Sequence, residues 1–276
     1  MDILLGKFVC VRLVRMNHID LEQFQFDYDQ TWAALFLHPD GTVFARYGSR
    51  TADGPMAMNS MKGLQTTMQR VLKAQAGFPE NKERFAAKRG PRPDYKWPKD
   101  IPSPTIKKAL GSTAGESKSC VHCHNVYDGL HEVLEKENRY DPAKLWKYPL
   151  PQNPGLTVDS EAGNRITAVA AESAAAKAGL QAGDVIETLN GQAILSFADI
   201  QFVLHYLPDS ATLKAQATRG DTTREHSLKL DSGWRRTDQS WRVSMYGMPP
   251  RPRLWVQALD ADARRSLSIA GDKMAI

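Results

Sequence analysis

Cysteine is scarce, with three in 276 residues, and that scarcity excludes a disulfide-built scaffold. No stretch approaches the roughly 20 consecutive apolar residues that cross a bilayer. The start, Met1-Asp2-Ile3-Leu4-Leu5, has neither a basic leading region nor a cleavage site, so no export signal is visible. Charge of one sign is also lacking. The net charge is +5 with a pI near 9.0, and the densest cationic run, Lys82 to Lys108, is interleaved with prolines and acids. Such a run reads as a solvated surface, which argues against nucleic acid as a partner. Serine, histidine and aspartate are present but not around any nucleophile elbow, so no hydrolase is expected and no complete catalytic constellation is seen. What remains is an ordinary globular composition, 42% hydrophobic and 24% charged, in a chain long enough for about two domains.

Two of the three cysteines fall in one pentapeptide, Cys120-Val121-His122-Cys123-His124. C-x-x-C-H is the attachment pattern of a c-type haem. In that reading Cys120 and Cys123 add across the porphyrin vinyl groups and His124 ligates the iron. A second reading is zinc held by Cys120, Cys123, His124 and His131, with His122 as another donor at finger-like spacing. A third is a redox dithiol whose thiol pKa falls at a helix start, and a fourth is two unmodified cysteines in a turn. Residues 125–138 are helix-compatible, with Val126, Leu130, Val133 and Leu134 on one face. His131 falls on the same side as His124, so it cannot approach the opposite face of one haem.

Upstream, Lys7 to Val14 is a β-branched apolar run suited to a buried strand, with Cys10 inside it. Thr31 to Leu37 reads as a strand, His38-Pro39-Asp40-Gly41 as a tight turn, and Thr42 to Tyr47 as the returning strand. Met58, Met61, Leu64, Met68, Val71 and Leu72 then share one helix face, which reads as core. Strand, hairpin and helix in this order resemble the closing half of a thioredoxin-like domain. The strand and helix that would carry the redox cysteines are missing, as is the proline before the hairpin, so no thiol-disulfide activity is carried over. Residues 76–119, with Pro91, Pro93, Pro98, Pro102 and Pro104, are expected to be a linker, extended where proline is dense, with one helical turn around Thr105 to Leu110.

The clearest module follows. Gly155-Leu156-Thr157-Val158 opens a strand, Arg165 to Val169 is the next, and Ser173-Ala174-Ala175-Ala176-Lys177-Ala178-Gly179-Leu180-Gln181-Ala182-Gly183-Asp184-Val185-Ile186 follows. This run resembles bacterial PDZ domains of the HtrA-protease type. Asn190-Gly191 marks a hairpin turn, a helix over Ser196 to Leu207 is capped by Ser196, and strands at Ala211 to Thr218 and Glu225 to Leu230 close the unit. The resemblance implies that an extended peptide or a protein's free C-terminus adds to a sheet edge beside the helix. Its carboxylate would sit on the loop Pro154-Gly155-Leu156-Thr157, and its side chains would face Leu156, Val158, Phe202 and either Leu204 or Tyr206, with His205 near the ligand.

Beyond residue 232 come Trp234, Trp241 and Trp255, and Pro252 to Val256 resembles the opening strand of a second PDZ domain, followed by a short helix near Ala261 to Leu267. The order of parts resembles a family of bacterial proteins joining a thioredoxin-like domain to PDZ domains, some with selenocysteine. The expected fold is therefore mixed α+β: a truncated thioredoxin-like half-domain (1–75), a linker (76–119), the CxxCH segment (120–150), a PDZ domain with two helices (151–232) and an extension (233–276), with truncation at both ends. The expected function is a peptide-binding adaptor of the cell envelope with tentative haem c. The alternative is an electron-transfer or haem-sensing protein in which the PDZ domain only docks a partner. A periplasmic or envelope location would require an export signal on the native N-terminus.

Overall fold

A computed structural model describes residues 2–111, 120–141, 145–245 and 259–270. After a short helix, α1 (Asp2–Leu5), the segment 9–16 is extended but pairs with no strand. The expected buried strand at Lys7 to Val14 is therefore not formed. Val9, Val11, Leu13 and Val14 are exposed, Val9 at 95%, and Cys10 is exposed rather than core. β-Branched composition favours extended backbone, but a strand needs a neighbour to pair with.

The hairpin is where the sequence puts it. β1 (Ala34–Leu37) and β2 (Val43–Tyr47) pair antiparallel. Asp40 accepts the Thr42 N–H at 2.8 Å, and Gly41 takes the positive φ of +86° that the turn requires. Next, α2 (Met61–Ala76) starts at Ser60, whose hydroxyl accepts the Gly63 N–H at 2.9 Å. Met68 and Val71 face the hairpin core, whereas Met61 stays exposed, so the apolar face is narrower than expected.

The expected linker at 76–119 is not one. Its described part carries α3 (Glu83–Ala86), a 3₁₀ turn at Pro98–Asp100 and α4 (Pro104–Leu110). Phe85, Lys88, Ile101 and Ile106 are buried. Prolines here start helical turns, at Pro98 and Pro104, as their fixed φ allows. α4 packs on α5 (Cys123–Lys136) across Gly129, where a Cβ would come within 2.9 Å of Ile106.

The C-terminal module holds β3 (Leu156–Val158), β4 (Ile166–Val169), α6 (Ala174–Lys177), β5 (Val185–Leu189), β6 (Gln192–Ala193), α7 (Phe197–His205), β7 (Ala211–Arg219) and β8 (Thr222–Leu230). β3 pairs with β4, and the second sheet runs β6-β5-β7-β8, all antiparallel. Asn190 and Gly191 both have positive φ, +46° and +76°, as a tight hairpin turn demands. Ser196 caps α7, accepting the Asp199 N–H at 3.2 Å. Ile186, Leu189, Ile200, Leu204, Leu213 and Leu228 form the centre of its core. Beyond β8, a 3₁₀ turn (Val243–Met245) lies against α5, and α8 (Ala261–Ser266) follows. The proposed opening strand of a second PDZ domain, at Pro252 to Val256, lies outside the described residues.

Candidate peptide groove and the CxxCH segment

In a fold of this shape the sheet edge of β3 and the helix α7 flank a groove. α7 is buried along its whole length from Phe197 to Leu204, because two faces are covered. Phe197, Ile200, Val203 and Leu204 point into the module's core. Phe202 points the other way, 1% exposed, into the cluster built around α5, Phe26 and Tyr28. The Arg46 guanidinium lies 3.5 Å above its ring, and Tyr206 contacts its edge at 4.9 Å. Phe202 is therefore enclosed by a second surface, so the helix is rotated relative to the expected assignment, while Tyr206, packed against it, stays 39% exposed. An aspartate at 202 would bury a carboxylate in this interface, so it would test the fold rather than binding.

The covering surface is β2 and the segment after α3. The Arg46 backbone N–H donates to Asp199 Oδ1 at 3.2 Å, and the Ser196 hydroxyl donates to the Arg46 carbonyl. Lys88 Nζ lies 2.6 Å from Asp199 Oδ2, with both side chains fully buried. Burial pulls the Lys88 ammonium down to about 8, and the facing carboxylate opposes that shift. Arg46 also donates to the carbonyls of Gln25 and Lys88, each at 2.6 Å.

Leu156 and Val158 are buried in the module's core, and Thr157 is exposed. Gly155 has φ of +98°, and a Cβ there would fall 2.2 Å from the Ser173 side chain. Glycine is thus required by the close approach of the α6 N-cap, not by the approach of a ligand. The loop's donors are engaged: the Leu156 N–H reaches the Pro151 carbonyl at 2.9 Å and the Gly155 N–H reaches Gln152 at 3.0 Å. Tyr148 lies against α7. Its N–H donates to His205 Nδ1 at 3.3 Å, its carbonyl accepts from Gln201 Nε2 at 3.2 Å, and its ring stacks on His205 at 4.2 Å. Burial pushes His205 well below the usual imidazole range, with the charges of Lys147 and Arg235 adding to it, which fits an Nδ1 that accepts a hydrogen bond. None of Tyr148, Leu150, Pro151, Arg46 or Lys88 was singled out from sequence. The signal that could have drawn attention to the first three is the stiff run Tyr148-Pro149-Leu150-Pro151 directly before the loop.

The CxxCH segment opens α5. His122 is the N-cap and Cys123 the first helical residue. Val121 is fully buried, its N–H on Asn17 Oδ1 at 2.9 Å and its carbonyl on the Met16 N–H at 3.0 Å. The backbone between the cysteines is therefore pinned while both thiols remain free and partly accessible. Burial raises the Cys123 thiol, the reverse of the lowering that the dithiol reading invoked. His124 Nδ1 lies 3.2 Å from Asp128 Oδ2, and that hydrogen bond raises its pKa. His131 is 6% exposed against Tyr127 and Tyr140.

The zinc set of Cys120, Cys123, His124 and His131 does not converge. α5 is continuous, so His131 stands about 12 Å along the axis from Cys123 at 1.5 Å per residue. Among the described residues no three His, Cys, Asp or Glu side chains form a group able to hold a metal. His131 is a packed core histidine.

An antiparallel β-module closed by α6 and α7, with a glycine-turned loop before β3, defines the class of the C-terminal unit: it is a PDZ domain, and residues 165–216 match the family model described as PDZ domain. Among solved structures it is similar to the HtrA3 PDZ domain bound to a phage-derived ligand, FGRWV. The identity is 21% over 27% of this chain and 76% of that one, with a TM-score of 0.23. No curated protein matches the chain. No helix among the described residues is long and apolar enough to cross a membrane.

Proposed function

We propose that the protein is a non-enzymatic peptide-binding scaffold whose PDZ domain takes up an extended segment, a free C-terminus above all, by strand addition to β3. The observation that carries this is the PDZ match at residues 165–216 joined to β3, which among the described residues ladders with no strand but β4. Main-chain bonds along such an edge supply affinity and the flanking pocket supplies selectivity. This reading assigns Gly155, Leu156, Thr157 and Val158 to the strand side of the site. On the helix side Phe202 is taken up by the α5 cluster, and Val203 and Leu204 belong to the PDZ core. A library of C-terminal peptides should yield ligands ending in an apolar residue, and a Val158→Pro variant that still folds should lose them, because proline removes a ladder donor. A library without a single extended ligand would sink this reading.

A second reading concerns Cys120, Cys123 and His124, and the pinned Val121 favours it. The donor set fits a covalently held haem c. Two unpaired thiols flank a fixed turn, and His124 has one nitrogen anchored on Asp128, as outer-shell carboxylates orient metal-bound imidazoles. Val14 is exposed, with its carbonyl 3.8 Å from Cys120 Sγ, and would offer apolar cover. Bound there, the haem would supply a one-electron couple, with Cys120 and Cys123 holding it and His124 as a ligand to its iron. Because haem c is attached outside the cytoplasmic membrane, this reading also implies the cell envelope. The hairpin and α2 lack the leading strand that the thioredoxin-like reading expected at Lys7 to Val14 and hold no cysteine pair, so no disulfide exchange is assigned to them.

Expression behind an export signal with haem-maturation machinery should add the mass of one haem and a Soret band that survives denaturation. His124→Ala should alter the axial-ligand spectrum. A colourless product under those conditions rejects the haem.

A further inference from the structure

The donors that would meet a peptide's terminal carboxylate in this PDZ domain already have partners within the protein. The Leu156 N–H points at the Pro151 carbonyl at 2.9 Å and the Gly155 N–H at Gln152 at 3.0 Å. Immediately upstream, Tyr148 is strapped to α7 through His205, Gln201 and a ring stack at 4.2 Å. Between these anchors Leu150 packs against the PDZ core, which includes Leu156, Val158, Val203 and Leu204. Tyr148 holds φ at +44°, a left-handed conformation that a bulky residue adopts only when its surroundings enforce it.

We propose that Tyr148–Pro151 is a built-in occupant of the groove, with Leu150 standing for the last side chain of a ligand and the Pro151 carbonyl for its carboxylate. The proposal rests on the peptide-binding reading and specifies how that site is regulated. A tethered occupant competes at high effective concentration without any diffusional step. Pro149 and Pro151 stiffen it, so little ordering entropy is lost when it sits down. An external partner gains the site only by displacing it. That partner is an extended C-terminal peptide with an aliphatic or other apolar last residue, because the pocket it inherits from Leu150 is aliphatic. Release returns Tyr148 to an ordinary backbone conformation, which offsets part of the lost contact.

The test uses the whole protein and the labelled peptide FGRWV as probe, read by fluorescence anisotropy. Leu150→Ser, which removes the anchor while leaving the backbone able to fold, should bind the probe at least about tenfold more tightly than the parent. Equal affinity for the two proteins would overturn self-occupation while leaving peptide binding intact. Failure of both folded proteins to bind this probe or any C-terminal library peptide would overturn the two ideas together. Amide hydrogen exchange on the unaltered protein gives a check that needs no variant. The Leu156 and Gly155 amides should be protected without ligand, and free exchange at both would reject the occupant.

Discussion

His131 shows how one residue's meaning depends on which way it faces. Spacing alone placed it as a zinc donor, but its ring is buried between Tyr127 and Tyr140. Burial, aided by the charge of Lys147 and opposed by Asp29, brings its pKa down to about 4. An unfolded histidine titrates near 6.5, so between those two values the unfolded protein binds a proton that the folded protein refuses. The stabilising effect is complete above about pH 6.5 and is lost as pH falls toward about 4. It should amount to roughly 2 kcal/mol between pH 7 and pH 5. Urea denaturation at those two pH values should show a steeper loss for the parent protein than for His131→Gln. Parallel losses would mean that the imidazole protonates in the folded protein.

At the scale of elements, α7 is the part whose role changed most. Its existence, its Ser196 cap and its span were legible, since a capping serine and an apolar run are local signals. Its rotation was not, because Phe202 is apolar enough for either face and only the partner surface decides between them. The same holds for residues 76–119, where proline density suggested a linker and Phe85, Ile101 and Ile106 turned out to be buried. In a protein with several small cores, isolated apolar residues between prolines find partners that no periodicity announces. The PDZ module was readable because its turns, caps and alternating strands all agree locally. The ion pair of Lys88 with Asp199 was unreadable, because its partners lie far apart in sequence. Lys88→Met should cost about 3–5 kcal/mol by leaving the Asp199 carboxylate buried without its counter-charge. Lys88→Met combined with Asp199→Asn should recover part of that loss, because no unpaired carboxylate is then buried. The single amide oxygen can accept from only one of the Arg46 and Leu195 N–H groups, which reach separate oxygens of Asp199, so the recovery is incomplete. A single variant as stable as the parent in chemical denaturation would show that water reaches this pair.

At the scale of the whole molecule the three cores are interlocked rather than adjacent. Phe202 leaves the PDZ helix to enter the cluster of α5, Ala193 of β6 belongs to the hairpin cluster, and Met58 from the loop before α2 packs on the PDZ core. The extension after β8 closes the circuit. Arg242, buried, holds both oxygens of Asp27 at 2.8 Å and Asp29 at 3.3 Å, and it donates to the Lys147 carbonyl at 2.7 Å. Lys147 directly precedes Tyr148, which is bonded to α7, so the N-terminal unit, the extension and the PDZ domain share one set of bonds. Units that share buried residues cannot unfold separately without exposing each other's cores. The protein should therefore melt in a single transition, with calorimetric and van't Hoff enthalpies in agreement. Arg242→Ala strands two buried carboxylates and should cost about 3–5 kcal/mol. That loss should lower the midpoint of the whole transition by roughly 2–4 °C per kcal/mol without splitting it. Two resolved transitions, with the PDZ strands melting at an unchanged temperature, would show instead that the PDZ domain is merely docked and that its groove is free to open on its own.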